Sequence, residues 1–315
     1  MNVRFLETFV WLAKLRSFRL TAERLHATQA AVSSRISALE QELGVRLFDR
    51  GPHDVTLTQE GSKALVFAER IFELNQDMLT AVTDRSQVAG LLRLGVIESV
   101  VHTWLSDFLR QVRAGYPNLT IELTSDTSVN LSAQLANGTV DVAILSTEVT
   151  GTDAVNVKLG SLPMRWVASP LLGVPGDLPL SEVDLAAFPI ISFARRSVPH
   201  AFLTKLFDSS IDRQAQINCI SSVAAIIRLA VDGFGIAVLP TAFLTKELKD
   251  GSLHNLEVTH SVPELPLLAS FRRSPDRMLA ESIVRVALDV VLNFSLVNGP
   301  TYALFPGSLG DLKSA

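Results

Sequence analysis

The stretch "TQAAVSSRIS", residues 28–37, brings Gln29, Ser33, Ser34 and Ser37 close together, short polar groups that both donate and accept hydrogen bonds. Thr28 is an N-cap type and Gly44 a helix stop, while Val32, Ile36, Leu39 and Leu43 recur at steps of four, three and four. The spacing predicts a helix that buries this stripe and turns Gln29, Ala30, Ser33, Ser34 and Ser37 outward. A plain solvated face is one reading, yet such faces usually collect Glu, Lys and Arg, and serine inside a helix is mildly unfavourable. The other reading is a helix lying in a DNA major groove, where small residues admit the backbone and Gln and Ser bond base edges or phosphates. The second explains the composition of the face better.

Such a helix needs neighbours to hold it. Leu6, Phe9, Val10 and Ala13 repeat at helical spacing, which predicts a first helix over residues 2–15. Ser17 caps a short second helix, 18–26, burying Ala22 and Leu25, and a tight turn at Ala27 leads to Thr28. Three short helices with that turn make a helix-turn-helix. Arg16, Ser17 and Arg19 at the entry of the second helix, Thr28 at the entry of the third and Arg35 within it are further candidates for DNA contact, Arg16 and Arg19 through phosphate. "RLFDRGPHDVTLT", residues 46–58, sets two strand-like runs about the turn "GPHD" and reads as a wing with Arg50 and His53 near its tip. A surface hairpin with no such role is the alternative.

Thr58 then caps a long helix in which Leu65, Ala68, Phe72, Asn75, Leu79 and Val82 alternate steps of three and four. The pattern suits a two-helix dimer seam whose single Asn75 sets register, and a two-fold dimer would offer two recognition helices to two half-sites. A helix packed on its own domain is the other possibility.

Composition bounds the rest. At 315 residues, 48% hydrophobic and 19% charged, the chain suits two or three cored units and is too apolar for disorder. The apolar stretch 283–297 carries Arg285 and Asp289, so nothing reaches the roughly 18 clean residues of a membrane span. "MNVRFLETFVWLAKLRS" reads as an amphipathic helix with Glu7 in its middle, not as a secretory leader, so the expected location is the cytoplasm. One cysteine, Cys219, excludes an intramolecular disulfide, and no Cys/His spacing suits zinc, so neither metal nor cofactor is expected. The net charge is −4, and residues 1–60 hold eight Lys/Arg against seven Asp/Glu, a balance of only +1. Any nucleic-acid contact must therefore be local and geometric.

From residue 91 the rhythm becomes strand, helix, strand: "LLRLGVI", "LTIELT" and "VDVAIL" with helices between, then from Pro163 "MRWVAS", "FPIISFA", "AQINCI", "IAVLP" and "LPLLASF", and a long helix from about 275 to 294. The alternation predicts parallel sheets with crossover helices. Ligands of open α/β sheets sit beyond the carboxyl ends of strands. The residues there are Glu98, Ser99, Val100, Thr127, Ser128, Ser146, Arg195, Arg196, Ser221 and Ser222. Each Ser or Thr taken singly can be a helix cap; together with Arg195 and Arg196 they suit an anionic small molecule such as an organic carboxylate, and Glu98 suits a cation or an N–H donor.

Residues 9–61, "FVWLAKLRSFRLTAERLHATQAAVSSRISALEQELGVRLFDRGPHDVTLTQEG", resemble the LysR-type transcriptional regulators. The likeness rests on the Ser-Phe entry to the second helix, the Gln29, Ala31, Ser33 pattern, Leu39-Glu40, Leu43-Gly44, Leu47-Phe48 with Arg50, and Leu57-Thr58. Arg16, Thr21 and Ser34 depart from the usual pattern, which bears on the bases read and not on DNA binding. The resemblance implies an α+β / α/β multidomain protein: a winged helix-turn-helix (1–58), a linker dimerisation helix (59–88) and a two-lobed effector domain like periplasmic solute-binding proteins. Its first lobe is expected at 91–162 with 268–300, its second at 163–267, and a flexible tail at 301–315.

The expected function is a dimeric or tetrameric DNA-binding regulator that binds a promoter inverted repeat and responds to a small-molecule effector between the lobes. A ligand-independent repressor or architectural protein is the alternative within that class. An enzyme is disfavoured, because no G-x-S-x-G, H-E-x-x-H, P-loop or G-x-G-x-x-G occurs and the six histidines are scattered, so no catalytic residue is expected. A solute-binding protein would suit the C-terminal lobes but not the DNA-binding end.

Overall fold

The computed structural model describes residues 2–25, 27–50, 55–82, 88–151, 153–175, 179–208, 215–273 and 278–305, with the backbone alone at positions 50, 73, 76, 77 and 79–82. The chain divides into two compact units, Met1–Gln87 with Ser274–Leu279, and Val88–Arg273 with Ala280–Ala315. Among the described residues no helix is long and apolar enough to cross a membrane.

The first unit begins with α1 (Val3–Leu15), α2 (Phe18–Arg24) and α3 (Gln29–Leu43). Each starts on the side-chain cap its sequence offers: Asn2 accepts from the N–H of Arg4, Ser17 from that of Leu20 and Thr28 from that of Ala31. Gly44 ends α3 at φ +71, a left-handed geometry that favours glycine. The hairpin β1 (Phe48–Arg50) and β2 (Val55–Leu57) pairs Phe48 opposite Leu57. It is tied to α3 by Glu40, whose Oε1 accepts from the N–H groups of Leu47 (2.8 Å) and Phe48 (3.3 Å).

Phe9, Leu12, Ile36, Leu39, Leu47 and Phe48 form the core, with the Phe9 and Phe48 rings edge to face at 5.5 Å. Leu43 departs from the expected buried stripe at 42% exposure. The turn at Gly44 returns the chain so that Leu47 and Phe48 join that core in its place.

The helix α4 (Gln59–Val82) follows at once. Its entry is tight: Thr58 N–H donates to Leu47 O (3.0 Å), Gly61 N–H to Thr58 Oγ1 (2.8 Å), and a Cβ at Gly61 would overlap the Leu47 carbonyl. The expected dimer seam is corrected at Ala68 and Phe72. Ala68 lies inside the unit's own core, and Leu65 packs against it with Ala64 and Ile71. Phe72 is buried as well, and Asn75 is half-buried. The apolar side of α1 needs a cover, and this face of α4 supplies it. Outward instead stand Val66, Phe67, Leu74 and Met78, each more than half exposed. The side chains of Leu79 and Val82 lie outside the described residues.

In the second unit β3 (Gly90–Val96), α5 (Glu98–Val101), α6 (Leu105–Gly115), β4 (Leu119–Ser125), α7 (Ser128–Asn137), β5 (Val142–Leu145) and β6 (Ala154–Leu162) open the first lobe. The second lobe holds β7 (Met164–Ala168), α8 (Glu182–Ala186), β8 (Ile190–Ser192), α9 (Val198–Asp208), β9 (Ile217–Cys219), α10 (Val223–Val231), β10 (Ile236–Pro240), α11 (Thr245–Lys249) and β11 (His254–Asn255). The chain returns to the first sheet through β12 (Leu265–Arg272) and ends in α12 (Met278–Asn298).

The sheet orders are β4-β3-β5-β12-β6 and β11-β7-β10-β8-β9. Both are mixed, not all-parallel as the alternation predicts. The neighbours β3, β4 and β5 run parallel, and so do β8, β9 and β10, but β12 is antiparallel to β5 and β6, and β7 is antiparallel to β10. These reversals fall at the strands adjoining the two crossings between sheets. There the chain passes from one sheet to the other without a crossover helix.

Strand β6 is absent from the sequence reading although Val155, Val157 and Leu159 alternate with polar residues. The ion pair of Arg93 and Asp141, with Nη2 to Oδ1 at 2.7 Å and Nε to Oδ2 at 3.2 Å, anchors β3 to the entry of β5. That bonding and the adjacent charge raise the pKa of the Arg93 guanidinium.

The start of the expected loose tail is also corrected. Ser161 and Leu304 exchange backbone hydrogen bonds at 2.9 Å each way, Thr241 Oγ1 donates to the Thr301 carbonyl, and Ala303 is buried. An antiparallel bridge to Ser161 gives Leu304 backbone partners that the Gly/Pro/Ser composition does not announce. Residues 306–315 lie outside the described residues.

Candidate functional site

The outer side of α3 is the first candidate. Gln29, Ala30, Ser34 and Ser37 are exposed and Ser33 is half-buried, while Val32, Ile36 and Leu39 on the opposite side are buried to 1% exposure or less. The face carries hydroxyl and amide groups, a methyl, and no carboxylate that would repel a phosphate. Thr28 stands at its head, its hydroxyl engaged as the helix cap.

Around it the arginines divide. Arg16 is exposed, in a left-handed conformation at φ 48 that closes α1, and Ser17 caps α2. Arg19 is exposed but pairs with Glu23 at 2.5 Å, which offsets its charge locally. Arg35 is half-buried beside the apolar stripe, and its Nη1 donates to Thr8 Oγ1 on α1 at 3.3 Å. The side chain of Arg50, and His53 altogether, lie outside the described residues.

The second candidate is a cavity of about 340 Å³ between the ends of the two sheets. Glu98 and Ser99 follow β3, Thr127 and Ser128 follow β4, and Ser146 follows β5. From the other lobe Arg195 and Arg196 follow β8, and Ser221 and Ser222 follow β9. The rule that strand ends line a cleft thus brings nine of the ten expected residues into one cavity. Val100 is the exception and a correction. Its side chain points into the core with no exposure, since α5 turns it away from the opening. Asp126, Phe193, Ser197, Pro199 and Leu265 also line the cavity. They adjoin the expected residues in sequence or, for Leu265, begin the return strand.

Local bonding sets what each group has left to offer. The Thr127 and Ser222 hydroxyls cap α7 and α10 through long bonds of 3.4 and 3.5 Å. Ser128 and Ser146 share a buried hydroxyl pair at 3.0 Å, and the Ser146 N–H donates to Ser128 Oγ at 3.1 Å. Asp126 is occupied by the Thr127 N–H (2.7 Å), Asn130 (2.8 Å) and Gln134 (3.3 Å). Glu98 Oε2 accepts from the N–H of Val223 across the opening. Arg195 and Arg196 are exposed, and Arg196 holds φ at 68, a strained value for a side-chain-bearing residue. The first turns of α7 and α10 line this cavity together with Arg195 and Arg196, a set of residues suited to a carboxylate.

A larger cavity of about 430 Å³ lies against β6, β12 and Leu304, but it gathers fewer convergent polar groups. Among the described residues no group of three His, Cys, Asp or Glu side chains is placed to hold a metal ion.

A family model described as "LysR substrate binding domain" matches residues 85–290, and one described as "Bacterial regulatory helix-turn-helix protein, lysR family" matches residues 3–62. The chain is 25% identical over 268 residues to the HTH-type transcriptional regulator BsdA of Bacillus subtilis, covering 83% of this chain and 91% of that one. It is 28% identical over 294 residues to a probable RuBisCO transcriptional regulator of Synechocystis, covering 90% and 84%. Among solved structures, full-length BenM superposes with a TM-score of 0.56 at 21% identity over 98% of this chain and 100% of that one. LysG from Corynebacterium glutamicum, with bound effector Arg, gives 0.53 at 22% over 97% and 100%. At that identity the structures speak for the fold alone. The relatives are transcriptional regulators and not enzymes. With one family model covering residues 3–62 and the other residues 85–290, the chain belongs to the LysR family of DNA-binding transcriptional regulators.

Proposed function

We propose that this regulator works in the cytoplasm as a homo-oligomer that binds a promoter inverted repeat and changes state when a small carboxylate enters the cleft between its lobes. The observation that carries this reading is the convergence of Arg195, Arg196 and the hydroxyl-bearing first turns of α7 and α10 on one cavity. Gln29, Ser33, Ser34 and Ser37 read bases or phosphates, and the two copies meet through the exposed Phe67, Leu74 and Met78 of α4, which would present two recognition helices to two half-sites. Ligand binding shifts the population of lobe arrangements, and the oligomer converts that shift into a change in half-site spacing or DNA bending.

Gel shifts of the full-length protein on fragments from its own promoter regions, against random DNA, test the first half. Selective binding that weakens steeply with salt is expected, and equal affinity for all DNA would overturn it. Melting the protein with a panel of small carboxylates tests the second half. A ligand at one hundred times its Kd adds about 2.7 kcal/mol to stability. If no carboxylate raises Tm or alters DNA binding, the ligand-independent repressor takes its place.

A further inference from the structure

The charges around the cleft are balanced in number and separated in space. Glu98 and Asp126 stand on the first lobe, and Arg195 and Arg196 on the second. Asp126 is consumed by the three donors of its own loop and helix, which leaves Glu98 as the acid available to a guest. One oxygen of Glu98 accepts from Val223, and the other has no partner among the described residues. Neither Arg195 nor Arg196 pairs with a carboxylate among the described residues.

A purely anionic guest would satisfy the arginines but sit against Glu98 in a partly desolvated space, where like charges repel more strongly than in water. A purely cationic guest would satisfy Glu98 and meet two guanidiniums. A guest with one carboxylate and one ammonium answers both sides, and about 340 Å³ is ample for a molecule of that size.

We infer that the effector is a small zwitterion of the α-amino-acid class, its ammonium held by Glu98 and its carboxylate by Arg195 and Arg196. This rests on the proposed carboxylate effector and narrows it. It also gives the Glu98 bridge to Val223 a role. Glu98 is held across the cleft by a backbone N–H, and an arriving ammonium competes for the same carboxylate.

Thermal shift on the full-length protein tests the assignment with three matched sets of probes: the twenty proteinogenic amino acids, the same carbon skeletons without the amino group, and the same skeletons without the carboxylate. At least one amino acid is expected to raise Tm, with both of its truncated partners at least tenfold weaker. In Glu98→Gln that preference for the amino acid over its deaminated partner should fall at least tenfold. Arg195→Ala should weaken amino acid and deaminated acid together. An unchanged far-UV spectrum and DNA affinity establishes that each variant is folded. If deaminated acids bind as tightly as amino acids and Glu98→Gln leaves the ratio unchanged, the zwitterion is overturned and the carboxylate reading stands. If amines alone bind, or no probe in any set shifts Tm, both are overturned.

Discussion

The carboxylate of Glu98, just after β3, accepts a hydrogen bond from the backbone N–H of Val223, the first residue of α10, so a side chain of one lobe closes onto the backbone of the other. Hydrogen bonds to charged groups contribute about 1.5–3 kcal/mol when well shielded, and the partial exposure here lowers that. Glu98→Ala should therefore cost about 1 kcal/mol, or ~2–4 °C in the melting of the effector domain without ligand. An unchanged Tm would show that the bridge adds nothing to stability.

On the recognition face, Gln29→Ala and Ser33→Ala should each cost about 1–3 kcal/mol of affinity at the specific site and little on random DNA. Fluorescence anisotropy with specific and scrambled duplexes separates the two. A uniform loss on both would assign these residues to phosphate contact and remove them from base reading.

Two sides of α4 should behave oppositely. Phe72 is 4% exposed, and Phe72→Ala should destabilise the DNA-binding unit by about 3–5 kcal/mol. Phe67, 68% exposed, makes no comparable contribution to the single chain. Phe67→Lys should leave the melting of that unit near the wild-type value and weaken self-association at least tenfold by sedimentation equilibrium. Retained association would place the oligomer contact elsewhere.

Acid should expose two local carboxylates. The Ser181 hydroxyl (2.7 Å) and N–H (2.9 Å) hold Asp184 below its ordinary pKa, and the Ser252 hydroxyl (2.6 Å) and N–H (3.0 Å) do the same for Asp250. A carboxyl depressed in the folded state contributes stability above its ordinary value and loses it as pH falls through the folded one. The stability gap between wild type and the double variant Asp184→Asn, Asp250→Asn should be full at pH 7 and shrink below about pH 4. Urea midpoints at pH 7, 5, 4 and 3 give the measurement. A gap that is constant over that range would show that the ionised carboxylates are not its source.

What the order of residues determined by itself is short-range. Ser17, Thr28 and Gly44 mark helix ends because a cap bonds within its own first turn and a left-handed stop is a property of one residue. The stripe Val32, Ile36, Leu39 shows which side of α3 is hidden because helical period alone sets it, and the strand ends announced the cleft because topology places them there. What tertiary structure decided is which surfaces meet. Leu65, Ala68 and Phe72 have a spacing that suits a partner copy as well as α1, and packing gave Ala68 and Leu65 to the core that α1 heads. Arg35 has the same formula wherever it points, and its place at the border of the stripe brings it to Thr8. Strand β12 looks like any parallel strand until the chain is seen to return from the other lobe, which reverses it. Glu98 and Val223 are 125 residues apart, and no local pattern encodes a bond whose geometry exists only once two lobes have closed on one another.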